Sequence, residues 1–151
     1  MLIREAGILF QGIPIIFAPF HRASKIKTNL ICSSGLLNGL LGFAECLMEP
    51  VEYFESDNYS LVFKKKNIID LYKEKKEILA YIVLDKDFKL DEYLHKSILP
   101  LLNRLLKKFI SKFSGYNLFK VSQFENFEKD IRKIFGVNTQ TLQERVEALL
   151  A

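Results

Sequence analysis

Residues 28–49, TNLICSSGLLNGLLGFAECLME, constrain the fold more than any other stretch of the chain. The pattern predicts one helix, apolar around most of its circumference. At about 100° per residue, Cys32, Gly35, Gly39, Gly42 and Cys46 share a stripe of small side chains, while Leu36, Leu37, Leu40, Phe43, Ala44 and Leu47 make a broad bulky stripe. Ser34, Asn38 and Glu45 form a polar seam. A surface helix ordinarily carries one apolar stripe and a wide polar face, so a helix apolar on two sides must be covered on two sides. The domain's own sheet is one expected cover. Which stripe meets the sheet stays open, and the other is left for a partner.

The remaining elements follow from shorter signals. Residues 8–10 and 13–17 are apolar runs separated by Gln11-Gly12, a hairpin in which the glycine is expected to supply positive φ. Pro14 and Pro19 cannot donate to a ladder, which sends the second strand to a sheet edge. Pro50 ends the long helix. Residues 51–56, VEYFES, and 59–63, YSLVF, flank the turn pair Asp57-Asn58 and predict a second hairpin, with Lys64, Lys65 and Lys66 as its solvated end. Residues 67–76 read as either extended or helical, with extended preferred. Residues 77–84, EILAYIVL, predict a central strand covered on both faces.

The C-terminal half is helical by pattern. Between residues 90 and 113, Leu94, Ile98, Leu101, Leu102, Leu105, Phe109 and Phe113 recur at three and four, with lysines largely opposite. Pro100 should kink or split this helix, because it removes a backbone donor and clashes with the preceding turn. Ser122 and Glu125 form the capping box of a further helix that ends at Gly136, and Thr141 and Glu144 repeat the box for a short last helix.

With 151 residues the chain fits one domain, and a net charge of +4 is too mild for a dedicated nucleic-acid binder. The lysine clusters read as solvated faces ahead of a lipid site, so peripheral membrane contact ranks low. No uninterrupted apolar run reaches the ~18 residues of a membrane span, and residues 1–10 lack the features of a signal peptide. Cys32 and Cys46 stand about 21 Å apart along one helix at 1.5 Å rise and cannot bridge. They read as reduced packing residues of a cytoplasmic protein. His21 and His95 lack ligand partners at zinc spacing, so no metal is expected. The glycines of residues 35–42 lie inside the helix without the Lys-Ser/Thr ending of a phosphate loop. No nucleophile has a local base. Asp85 and Asp87 at a strand end would reopen an enzyme reading only if they converged with His95. The expectation is no catalytic residue, no cofactor and no enzyme.

Taken together, the elements predict an α+β fold: a five-stranded antiparallel sheet in the order ββαβββαα, with one helix on one face and two or three on the other. That order, with GILFQGIPIIF at the start, LLNGLLGFAECL in the first helix, YSLVFKKK on a middle strand and ILAYIVLDKDF before a long helix, resembles the longin-like domains of the longin/roadblock superfamily, in particular small archaeal forms. The resemblance implies a longin-like domain over residues 1–137, followed by a short helical extension over 138–151. It also implies a noncatalytic scaffold that forms a homodimer, or a heterodimer with another longin/roadblock-like domain, and that binds or regulates a small Ras-like GTPase or a vesicle-trafficking assembly. The expected partner-binding residues are Leu36, Leu37, Leu40, Phe43 and Leu47 of the bulky stripe, with Val51 and Tyr53 of an open edge strand. The alternative is a small-molecule or lipid sensor with an apolar pocket between the first helix and the sheet. A third arrangement has the terminal helix cap the bulky stripe and leaves a self-contained monomer.

Overall fold

The computed structural model describes residues 3–11, 13–20, 53–55, 59–85, 90–136 and 149–150. Strands β1 (Ile3–Phe10), β2 (Ile13–Pro19), β3 (Tyr53–Glu55), β4 (Tyr59–Ile69) and β5 (Lys75–Asp85) lie in the order β2-β1-β5-β4-β3, every neighbouring pair antiparallel. β5 is central, and its residues Ile78 to Leu84 are all buried, as a strand covered on both faces requires. β2 takes an edge, where Pro14 and Pro19 cost no ladder bond. The β1–β2 register slips between Ile8 and Leu9, so Ile15 is the extra residue of a bulge and is buried together with Ile16.

Helical structure follows β5. Helix α1 (Leu90–Tyr93) runs through a π-helical turn (Leu94–Ile98) into α2 (Leu99–Phe113), and a 3₁₀ segment (Val121–Phe127) leads into α3 (Glu128–Phe135). The first rod packs over β4 and β5, the second over β1 and β2. Between rods and sheet lies the main core, in which Ile8, Ile82, Leu84, Leu94, Ile98, Leu102, Leu105, Phe109, Phe124 and Ile131 meet. Phe109 is its aromatic hub, with ring centroids 4.9 Å from Phe113, 5.3 Å from Phe124 and 5.4 Å from Phe127. Arg132 ties the second rod to the β2 edge by donating to the Pro19 carbonyl at 3.1 Å and lying over the Phe20 ring.

The other face of the sheet carries a second cluster, Leu9, Leu61, Phe63, Leu79, Tyr81 and Val83 with Phe17 against it, made of strand side chains alone among the described residues. Gly7 sits at its centre. A Cβ there would lie 2.7 Å from both the Ile16 carbonyl oxygen and Phe17 Cβ and 2.9 Å from Tyr81 Cε1, so only glycine lets the Tyr81 ring settle on β1. Beside it the Tyr81 hydroxyl donates to Glu5 Oε2 at 2.8 Å, both residues fully buried.

Several expectations are corrected. The sheet is built on four full strands and not five, and among the described residues its helical layer consists of two rods, the helix expected on the other face lying outside them. β3 is only a three-residue segment on the outer edge of β4, and among the described residues the helices occupy one face. Lys64, Lys65 and Lys66 do not end a strand. Their stems lie half-buried along β4, which continues to Ile69. The turn then falls at Asp70, whose Oδ1 accepts the N–H groups of Tyr72 and Glu74 at 2.9 Å each, with Lys73 at φ +60°. The capping box at Ser122 is not formed: the 3₁₀ segment begins without a side-chain cap. Gln11, at φ +53°, takes a left-handed turn position that was expected of the glycine; Gly12 lies outside the described residues. Pro100 stands in the first turn of α2, directly after the π-helical turn that interrupts the regular α-helix. Its ring would meet the carbonyl of Lys96, and the π turn that contains Lys96 widens the backbone there. The helix expected over 28–49 lies outside the described residues, as does the 138–151 extension apart from Leu149 and Leu150, both exposed.

Candidate functional site

Of the expected partner-binding residues, Leu36, Leu37, Leu40, Phe43, Leu47 and Val51 lie outside the described residues, and so does the expected pocket beneath the first helix. Tyr53 is in β3, opposite Val62 on the outer edge of the sheet, where an open edge strand was expected. Asp85 is held by Arg4, whose Nε and Nη2 donate to its two carboxylate oxygens at 2.8 and 3.0 Å. Asp87 lies outside the described residues. Among the described residues no cluster of His, Cys, Asp and Glu is suited to a metal, and no helix is long and apolar enough to cross a membrane.

Two surfaces emerge, one absent from the sequence reading and one that gathers Lys107, Lys108 and Lys112 of the lysine clusters read there as solvated. The first is the end of the sheet where the β4–β5 turn meets the α2–3₁₀ connection. Gly115 N–H donates to the Ile69 carbonyl at 2.8 Å, and Leu71 N–H to the Tyr116 carbonyl at 3.1 Å, locking the two loops together. Gly115 adopts φ +85° just past the end of α2, which allows the chain to turn there. The locked loops display Ile69, Leu71, Tyr72 and Tyr116, with Phe119 nearby against Phe10 at 5.2 Å; Tyr72 is 68% and Phe119 66% exposed. Large apolar side chains gathered this way mark an interaction surface more often than singly scattered ones do. The available signal was a Leu-Tyr pair inside the otherwise polar turn DLYKEKK. Around this end Glu74 pairs with Lys76 at 2.9 Å and Glu77 with Lys65 at 3.6 Å, whereas Lys73, Lys75 and Lys120 have no carboxylate partner among the described residues. The hydrogen bond and charge of Glu74 raise the Lys76 pKa above its ordinary value.

The second surface is a groove of about 480 Å³ between α2 and α3, lined by Arg104, Lys107, Lys108, Ser111, Lys112, Lys133 and Ile134. Asp130, largely buried in α3, accepts from Lys112 at 2.6 Å and pairs with Lys108 at 3.4 Å. The Lys112 hydrogen bond, seconded by Lys108 and opposed by burial, holds the Asp130 carboxyl below its usual range. Arg104, Lys107 and Lys133 have no carboxylate partner among the described residues. Sequence reading could place the α2 lysines on one helix face, but Lys133 joins them only through the packing of α3 on α2.

Comparison of the chain with protein-family models, with curated proteins and with solved structures gives no match.

Proposed function

We propose that this chain is a noncatalytic protein–protein interaction scaffold. The observation that carries the reading is the apolar end formed by Ile69, Leu71, Tyr72, Tyr116 and Phe119, held rigid by two backbone hydrogen bonds between its loops. A rigid platform binds at a lower entropic cost than a loose one, and aromatic side chains are favoured anchors at interfaces. Lys73, Lys75 and Lys120 at its margin favour a partner with an apolar centre and an acidic rim. The resemblance to longin-like domains supports a small Ras-like GTPase or a trafficking-type assembly as that partner, and dimer formation with a second domain of the same kind, in the cytoplasm.

A photo-crosslinking residue at Tyr72 or Phe119 of the full chain should capture a discrete partner in cells, and Leu71→Asp should abolish the product. The same residue at Glu125, exposed on the 3₁₀ segment, should capture nothing specific. Equal labelling from all three positions, or labelling indifferent to Leu71→Asp, would remove the support for this surface.

A further inference from the structure

The basic groove between α2 and α3 has no part in that interaction reading. We propose that it binds a small polyphosphorylated ligand. Arg104, Lys107, Lys108, Ser111 and Lys112 recur at three and four along α2, a donor stripe about 12 Å long at 1.5 Å rise per residue, and Lys133 closes the groove from α3. Five cationic residues thus line one concavity, two of them, Lys108 and Lys112, with their ammonium groups on Asp130. Like charges repel, and a concave, low-dielectric wall focuses their field on whatever enters. Asp130 is the carboxylate paired with them among the described residues, and it is spent on Lys108 and Lys112. By fixing those two ammonium groups it lowers the entropy that a ligand must remove to order them. Arg104, Lys107 and Lys133 are left to meet the ligand's charge.

Polyphosphate matches this set better than a carboxylate does. The lining offers a guanidinium fork, several compact ammonium donors and a hydroxyl, and every donor can be met only by a ligand with many acceptor oxygens in a short span. The volume is that of a small-molecule site, and Ile134 supplies an apolar wall. A nucleic acid would call for a basic footprint extending beyond one groove, whereas the chain as a whole carries only +4. The phosphate groups can come from a soluble metabolite or from a lipid headgroup, and the experiment separates the two.

Titration of the full chain with inorganic tripolyphosphate at low ionic strength, read by calorimetry, should give saturable one-site binding. Arg104→Gln/Lys133→Gln, two exposed positions, should weaken it about tenfold or more, while Lys73→Gln/Lys75→Gln at the far end should leave it unchanged. Phosphatidylcholine vesicles with and without a few per cent of a bisphosphorylated phosphoinositide form the second arm. Phosphoinositide-dependent sedimentation that tripolyphosphate competes away assigns the headgroup as source. Tripolyphosphate binding without vesicle binding assigns a soluble ligand. Absence of saturable binding, or equal weakening in both double variants, overturns the proposal.

Discussion

The two faces of the sheet are packed by different means. Toward the helical rods, alternate residues of β1, β4 and β5 meet leucines, isoleucines and interlocking phenylalanines, and the burial is almost purely apolar. On the opposite face a glycine vacancy seats Tyr81, whose hydroxyl is tied to a fully buried Glu5. The first face is stabilised by area and shape and tolerates conservative exchange among hydrocarbons. Among the described residues the second adds a glycine vacancy and a buried hydrogen bond, features that fix geometry more narrowly than apolar area does.

Substitutions can break that contrast. Phe109→Ala, which empties the aromatic hub, should cost about 3–5 kcal/mol in urea unfolding; a loss below about 1 kcal/mol would deny the helical face its leading role. Gly7→Ala should cost about 1–3 kcal/mol, because its methyl meets backbone and Cβ atoms that cannot swing away. Equal stability of the Ala variant would show that β1 and Tyr81 are not in close contact. Tyr81→Phe should cost about 1–2 kcal/mol by removing a donor from a buried carboxylate, and a neutral result would reduce the second face to ordinary apolar packing.

Asp130 sharpens the comparison from the outer side of the rods. Its folded-state pKa is lowered, so the stability it contributes is fully present above the ordinary value of 3.8 and is lost as pH falls through the lower folded value. Stability measured by urea unfolding across that acidic window should therefore fall less steeply in Asp130→Asn than in the wild type, and parallel curves would contradict the pairing with Lys112 and Lys108. The smallest expected effect is that of Leu71→Asp, within about 0.5 kcal/mol, since Leu71 is 55% exposed. A larger loss would make Leu71 part of the core and not of a docking surface.

Much of the sheet was legible because its signals are local. The paired prolines of β2 announced an edge, the unbroken EILAYIVL a centre, and Gly136 the stop of α3, where it adopts φ +48°. The extent of β4 was legible only in part: residues 67–76 read as extended, which holds for 67–69 and 75–76, but the turn at Asp70 between them carried no clear signal. Three consecutive lysines look like a solvated end, and only the neighbouring β5 shows that their stems have sheet to lie along. The surfaces were the least legible part. The apolar end needs two loops 40-odd residues apart to be stitched by backbone hydrogen bonds, which carry no side-chain signature. The groove likewise needs Lys133 and the α2 cations brought together by helix packing. The bulky stripe of Leu36, Leu37, Leu40, Phe43 and Leu47 lies outside the described residues.

The wide turn at Leu94–Ile98 has a consequence for the length of the chain. Leu90, Leu94, Ile98 and Leu102 are all buried although they are spaced by four throughout, a spacing that in a regular α-helix drifts about 40° at each step. The rod has swallowed one surplus residue there. Deleting Ser97 would let it close into an ordinary α-helix with Leu90 and Leu94 still turned inward, whereas deleting Arg104 would swing everything ahead of it through about 100° and carry those leucines into water. Along this rod, shortening is tolerated at one address.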